Sequence, residues 1–260
     1  MSAGNSKAES TTSYRAVWRL GRGRGGGSLG CAIVAHNAIN AGRPVLVADG
    51  DVNNPTLSRI FDPKGPNGIE RPRNAELETS KTWLATALAT AISRQSSIVI
   101  DMGGGDRVSE ELANEVPLGD FLKGNGFTPT FMYFTGPERD DFDHAYRIWS
   151  SSAFRSVDSI LVMNEGLSRT HSKQADPFKW VRSDERYREM RQAGVLPIKM
   201  PALTCMKYLE EGGLTIFDAV AGKPTSNGTP LNPLWKFMSE RWLEEFTTTL
   251  ETSGATKWLP

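Results

Sequence analysis

The chain of 260 residues carries 30 basic and 30 acidic side chains, so its formal net charge is zero. This length suits one large α/β domain, and the charge balance excludes a polycation that binds nucleic acid over its whole surface. The two cysteines, Cys31 and Cys205, lie far apart among apolar neighbours, which argues against a disulfide framework and suits a cytoplasmic protein. No apolar run approaches the ~18 residues of a membrane span, so we expect no membrane partner.

Strand and helix patterns alternate along the chain after a polar, Ser/Thr-rich tail over residues 1–13. Strands are predicted at 14–20, 44–48, 97–102, 130–135, 157–163 and 195–200. Helices are predicted at 28–41, 80–94, 138–152 and 234–250, and a loop at 62–73. This alternation predicts an α/β fold, a doubly wound, mostly parallel sheet with helices on both faces, in a single domain over residues 14–260.

The glycine-rich stretch GRGRGGGS joins the first predicted strand to the first predicted helix. The P-loop pattern G-x-x-x-x-G-K-[ST] matches Gly21, Gly26 and Ser28, but Gly27 stands where the phosphate-binding lysine belongs. The dinucleotide pattern G-x-G-x-x-G matches Gly21, Gly23 and Gly26. Both patterns bring phosphate to free backbone N–H groups at a helix N-terminus, so we expect a phosphate-bearing ligand. A tight turn that only lets helix and strand pack closely is the structural alternative.

Three acids stand at or just after the ends of predicted strands, where a parallel sheet places its ligands. Asp49 and Asp51 follow the second strand, and Asp101 ends the third. Carboxylates and a hydroxyl are ligands that Mg²⁺ prefers, so Asp49, Asp101 and Ser28 form a candidate metal site. Asp51 is a candidate catalytic residue that orients an attacking water. Aspartates that merely order turns are the alternative.

Four segments follow the order glycine loop, D-x-D-x-x-N-P-T-L-S from Asp49, I-V-I-D-x-G-G-G-D up to Asp106, and L-V-M-N-E up to Glu165. This order resembles the ParA/MinD group of deviant Walker P-loop ATPases, and through Val116-Pro117-Leu118 and Asn164-Glu165 it resembles, within that group, the TraL-like proteins of conjugative transfer. It implies ATP and Mg²⁺ as cofactors, a homodimer, and a role in plasmid or chromosome partition or in conjugation.

The resemblance also assigns roles to residues. Asp51 belongs to the first switch, Asp101 is the Walker B acid, and Arg22 replaces a lysine that reaches the phosphates of the partner subunit. The residues assigned to nucleotide binding are Gly21, Gly23, Arg24, Gly25, Gly26, Gly27, Ser28 and Leu29 in the turn, and Asn164 at the adenine. Because Gly27 supplies no charge, we expect weak ATP binding and very slow or absent hydrolysis, and stronger binding after Gly27→Lys.

A basic segment over residues 169–191 is a second candidate site. Similar proteins bind DNA without sequence preference, and Arg182, Arg186 and Arg188 are the candidate contacts. A solvated helix face laced with ion pairs is the alternative. A partner protein is implied by the family but not identified by the sequence.

Two rival functions remain open from sequence. A nicotinamide-dependent oxidoreductase is favoured by the G-x-G-x-x-G spacing and disfavoured by the second acid, Asp51. A non-catalytic pseudo-ATPase scaffold is favoured by Gly27. Strand order is expected to differ between the P-loop and dinucleotide folds.

Overall fold

The computed structural model describes residues 13–104, 106–151, 154–155, 158–168 and 176–260. The predicted tail therefore lies outside the described residues except for Ser13, whose hydroxyl is 2.9 Å from Thr128 Oγ1. In the part of the chain that the structure describes, no helix has both the length and the apolar character needed to cross a membrane.

Seven strands of the described residues form one parallel sheet. They are β1 Tyr14–Leu20, β2 Val45–Asp49, β3 Gly68–Ile69, β4 Ser97–Asp101, β5 Phe127–Thr135, β6 Asp158–Asn164 and β7 Leu196–Met200. Their order across the sheet is β3-β2-β4-β1-β5-β6-β7. The strand that leads into the glycine turn is therefore central, with β4 on one side and β5 on the other.

Helices cover both faces of this sheet. Those within the described ranges are α1 Gly27–Asn40, α2 Thr56–Ile60, α3 Leu77–Ser93, α4 Asp106–Glu115, α5 Leu118–Gly124, α6 Arg139–Ser150, α7 Lys179–Ser183, α8 Glu185–Gln192, α9 Met206–Glu211, α10 Ile216–Val220 and α11 Pro233–Thr252. One apolar layer packs α3–α8 on the sheet, and a second packs α1, α2, α10 and α11 on the opposite face. The predicted doubly wound parallel sheet is confirmed.

Successive side chains of β1 point to opposite faces of the sheet, so each one packs into one of the two apolar layers. Trp18 packs into the α3–α8 layer, whereas Val17 packs into the layer that contains α1. Arg19 has the same parity as Val17 and lies at the α1 side, where it meets the first residue of that helix. A charged side chain is thus buried directly below the glycine turn.

The helix α1 is buried on most sides, as its lack of charged residues predicts. It lies between the sheet and α11, and Asn37 Nδ2 is 3.4 Å from Thr247 Oγ1 of that helix. The apolar stripe of α11 also packs inward through Trp242, Phe246 and Leu250. The helix predicted at 234–250 therefore packs on the α1 side of the sheet.

Two sequence predictions about strands need correction. The loop predicted at 62–73 contains β3, a two-residue edge strand that pairs with β2. The strand predicted at 130–135 begins at Phe127, because residues 127–129 also pair with β1. The described part of β6 pairs with β5 from Thr130 onward.

Candidate phosphate-binding site

The glycine turn lies at the carboxyl edge of the sheet and takes a conformation that requires glycine at two positions. Gly21 has φ 135°, and a Cβ there would stand 2.6 Å from the backbone oxygen of Phe134. Gly26 caps α1 in the left-handed region with φ 78°, and a Cβ there would stand 2.3 Å from Asn164 Nδ2. These glycines let the turn pack onto the ends of β5 and β6.

The first turn of α1 offers its backbone N–H groups to a ligand. Within the turn, the Gly25 N–H donates to Arg22 O over 3.3 Å and the Gly30 N–H donates to Gly26 O over 3.1 Å. Within the described residues, no hydrogen-bond acceptor faces the N–H groups of positions 26–29, and no side chain caps the helix. No acidic side chain occupies this first turn. Free N–H groups and the helix dipole together favour an anion.

Arg19 brings a positive charge to the underside of this turn. Its side chain is 2 % exposed, and its Nη2 donates to Arg22 O over 2.5 Å. Its Nε is 3.9 Å from Asp101 Oδ1. Among the described residues, its Nε and Nη1 have no hydrogen-bond acceptor. Arg19 is not among the site residues predicted from the sequence, although an arginine inside the apolar run YRAVWRL is a visible signal.

Gly27 lies against the Arg19 side chain. A Cβ at position 27 would stand 2.0 Å from Arg19 Nε, 2.7 Å from Cγ and 2.8 Å from Cδ. No larger residue fits at position 27 unless Arg19 moves. The expectation that Gly27→Lys alone strengthens ATP binding therefore needs revision, because a lysine there collides with Arg19 first.

The acids at the ends of β2 and β4 are adjacent, as predicted. Asp49 pairs in register with Asp101, and the Gly50 N–H donates to Asp101 O over 2.7 Å. Both carboxylates are buried. Asp101 Oδ1 accepts from the Gly103 N–H over 2.8 Å, whereas Oδ2 has no partner among the described residues. Asp101 therefore keeps one carboxylate oxygen for a ligand.

Asp49 is less available than Asp101. Its Oδ2 accepts from the Ser58 N–H over 2.7 Å and its Oδ1 accepts from the Asp51 N–H over 3.2 Å. Burial raises the pKa of the Asp49 carboxyl, and the hydrogen bond from Ser58 offsets part of that shift. Asp49 thus orders the chain that leaves β2, which is the structural alternative considered for it.

Part of the predicted magnesium donor set lies at this edge of the sheet. Asp101 Oδ2 has no hydrogen-bond partner among the described residues, and Ser28 stands in the first turn of α1. One hydroxyl and one carboxylate suffice for Mg²⁺ beside a polyphosphate, because this ion keeps several waters. Asp101 and Ser28 would hold the ion, and its charge would help to neutralise the phosphates.

Asp51 lies next to the loop that follows β4. A Cβ on Gly103 would stand 2.3 Å from Asp51 Oδ2, so this carboxylate packs directly on that loop. Its Oδ1 accepts from the N–H groups of Asn53 and Asn54 over 3.0 and 2.9 Å. The carboxylate thus orders its own turn, and its assignment to water orientation stays a prediction.

Asp106 and His144 support the start of the turn, and sequence analysis gave neither a role. The Gly21 N–H donates to both Asp106 oxygens, at 3.2 and 3.1 Å. His144 Nε2 is 2.7 Å from Asp106 Oδ2. Asp106 is buried at the first residue of α4. The position of Asp106 in the stretch D-x-G-G-G-D was the available signal, but its partner His144 is distant in sequence.

Asn164 anchors the turn to β6. Its Nδ2 donates to Gly25 O over 3.0 Å, and its Oδ1 accepts from the Gly166 N–H over 2.9 Å. The side chain is buried, so its amide is engaged at both ends. The assignment of Asn164 to the adenine stays a prediction.

Arg22 and Arg24 line a cleft of about 510 Å³ between the turn and the start of α6. Arg22 Nη1 is 3.3 Å from Asp141 Oδ1 and 3.9 Å from Asp140 Oδ2, and the Arg22 side chain is half exposed. Arg24 is exposed and has φ 64°, an uncommon conformation for a residue other than glycine. In this chain, acids of α6 hold the arginine expected to reach a partner subunit.

The three candidate arginines of the basic segment form ion pairs, and residues 169–175 of that segment lie outside the described ranges. Arg186 contacts Asp184 at 2.8 Å and Asp143 at 2.7 Å. Its guanidinium lowers the pKa of the Asp184 carboxyl through direct hydrogen bonds. Arg182 and Arg188 each pair with a neighbouring carboxylate. These contacts match the alternative of a solvated face laced with ion pairs.

The chain matches no protein-family model and no curated protein.

Proposed function

We propose that this protein binds a nucleoside triphosphate at the glycine turn and acts as a ParA/MinD-like, ATP-dependent dimerisation switch. Its setting is the cytoplasm, in plasmid or chromosome partition or in conjugative DNA transfer. The observation that carries the proposal is the start of α1, which no side chain of the described residues caps and which lies at the same edge of the sheet as Asp101 Oδ2, an oxygen without a partner in those residues. That arrangement suits a phosphate with Mg²⁺.

Strand order supports this proposal over the oxidoreductase. In the dinucleotide-binding fold the strands run 3-2-1-4-5-6, so the strand after the first helix lies beside the first strand. Here β4 lies between β2 and β1. The acid at the end of β4 is therefore the neighbour of the glycine turn, as a Walker B acid must be.

Weak or absent hydrolysis is part of the proposal. Position 27 carries no lysine, and Arg22 is bound by Asp140 and Asp141 of its own chain. Both lysine positions of the family pattern are thus occupied by residues that cannot act in the family's way without rearrangement. A pseudo-ATPase scaffold, which binds nucleotide without turning it over, is the second candidate that these contacts favour.

DNA and a second copy of the chain are the proposed macromolecular partners, together with a partner protein that we do not identify. The DNA contact is assigned to Arg182, Arg186 and Arg188. The carboxylates that pair with these arginines would compete with the DNA phosphates. Reversing all three charges to Glu should abolish duplex binding and its salt dependence, since phosphate contacts release counterions. If duplex DNA does not retain the wild-type protein at low salt, these arginines only form a solvated, ion-paired surface.

Calorimetric titration with ATP, ADP and NADH, each with and without Mg²⁺, tests the central proposal. We expect Mg²⁺-dependent ATP binding, no NADH binding, and little phosphate release in a single-turnover assay. Gly26→Ala should abolish binding, because φ 78° and the contact with Asn164 exclude a Cβ. Gly124→Ala is the matched control, since nothing lies within 4 Å of a Cβ there.

Three outcomes would contradict the proposal. NADH binding without ATP binding would support the oxidoreductase. Binding of neither ligand would mean that the turn serves packing alone. Equal ATP affinity in Gly26→Ala and Gly124→Ala would place the ligand elsewhere.

A further inference from the structure

Arg19 is a buried cation whose side chain is incompletely paired. It is 2 % exposed, yet among the described residues its Nε and Nη1 lack hydrogen-bond acceptors. Its contacts are the 2.5 Å hydrogen bond to Arg22 O and the 3.9 Å approach to Asp101 Oδ1. Asp101 Oδ2 is also unpaired in the described ranges. Buried donors without acceptors are rare and unfavourable, so an anion that accepted from these groups would be stabilised.

Arg19 can take this position only because residue 27 is a glycine and has no Cβ. The Arg19 Nε lies 2.0 Å from where a Gly27 Cβ would be, and Cγ and Cδ lie within 2.8 Å of it. Arg19 Nη2 lies 3.7 Å from where a Cβ of Gly25 would be. The guanidinium therefore lies under the turn, in the space that a side chain at position 27 would otherwise enter.

We propose that Arg19 is the phosphate-binding cation of this turn and replaces the lysine that a P-loop carries at position 27. This inference rests on the proposed nucleotide binding and adds the residue that supplies the charge. A phosphate oxygen would accept from the free guanidinium N–H groups below and from the N–H groups of positions 26–29 above. Arginine binds phosphate through directed, charge-assisted hydrogen bonds. The arginine at position 19 then explains the glycine at position 27. The proposed ligand is a nucleotide or an inorganic polyphosphate.

The chain provides a matched control for the charge. Arg15 lies on the same strand and, by parity, on the same face as Arg19, but at the other end of β1. It pairs with Asp158 at 2.5 Å and donates to Lys257 O over 2.6 Å. Arg15→Gln therefore removes an identical charge from the same strand, far from the turn.

The test measures affinity for Mg²⁺–ATP and for inorganic pyrophosphate by calorimetry. We expect Arg19→Gln to weaken both about tenfold to a hundredfold, the range for a charge-assisted hydrogen bond. Arg15→Gln should bind like the wild type. The double variant Arg19→Ser/Gly27→Lys should bind within tenfold of the wild type, because removal of Arg19 frees the space for the lysine. Circular dichroism checks folding in each variant.

The double variant keeps the test decisive if Arg19→Gln does not fold, since it restores a cation near Asp101. A folded double variant that binds neither ligand would then overturn the inference. Equal or tighter binding by a folded Arg19→Gln would overturn it and leave the proposed function standing. If the double variant binds ATP and the wild type does not, Arg19 blocks a turn that is otherwise shaped as a P-loop. That result would also overturn the inference. Wild-type protein that binds neither ATP nor pyrophosphate would refute both proposals together.

Discussion

Gly27→Ala should destabilise the protein, although alanine usually improves a helix. Replacing glycine in a helix interior by alanine stabilises by up to about 1 kcal/mol. At position 27 the new Cβ meets three Arg19 atoms at 2.0, 2.7 and 2.8 Å. Arg19 must then either strain, which costs about 1–3 kcal/mol for an overpacked core, or leave Arg22 O and lose a charged hydrogen bond of about 1.5–3 kcal/mol. Since these costs are alternatives, we expect a net loss of about 1–2 kcal/mol.

Urea unfolding followed by tryptophan fluorescence measures this loss, because the chain has seven tryptophans and Trp18 of β1 is fully buried. Gly124→Ala, at the last residue of α5 with an open Cβ position, should be neutral or stabilising. In an Arg19→Ala background the penalty of Gly27→Ala should disappear, which gives a coupling free energy of about 1–3 kcal/mol. A Gly27→Ala variant as stable as Gly124→Ala would refute the packing argument and leave position 27 open to other residues.

Three further predictions concern two aspartates and one cysteine. Asp101→Asn should weaken Mg²⁺-dependent nucleotide binding while leaving the fold intact by circular dichroism; equal affinity in calorimetry would remove Asp101 from the metal site. Because Arg186 holds the folded-state pKa of Asp184 below its unfolded value, that carboxylate stabilises the fold above about pH 4. This stability should be lost as pH falls through the depressed pKa. Asp184→Asn should therefore flatten the acid end of a plot of urea stability against pH. An unchanged plot would show that the ion pair contributes nothing to stability. Burial raises the pKa of the Cys31 thiol well above its usual value, so it should react with iodoacetamide at pH 8.5 only after unfolding; rapid labelling of the native protein would contradict its burial.

The sequence was sufficient for the strands that position the site. Short apolar runs located the six longer strands, because strands covered on both faces are apolar throughout. The edge strand β3 was missed because two residues carry no periodicity. The start of β5 was misplaced because Pro129 interrupts the strand pattern in the sequence, although residues 127–129 pair with β1 in the fold.

The site itself was only partly predictable. The glycine turn and Asp101 follow from local patterns, since each stands at the end of an apolar strand. Asp106 and His144 become partners only when α4 and α6 pack together. For the three helical arginines the sequence left DNA contacts and surface ion pairs both open, and their nearest acids include Asp143 on a different helix. Contacts of this kind depend on tertiary structure and have no local signature.

The glycine at 27 has a different meaning in the sequence and in the fold. From sequence, it removes the positive charge that a P-loop needs. In the fold, a cation from the strand lies in the same space, so the proposed consequence is that the charge is relocated and not lost. The relocated charge is less mobile than a lysine, because Arg22 O binds it on one side and Asp101 lies 3.9 Å away on another. A fixed cation can stabilise bound phosphate, but it cannot follow charge that develops as the γ-phosphate bond breaks. The contacts that would favour the proposed nucleotide binding would therefore also favour slow hydrolysis, which would suit the proposed switch.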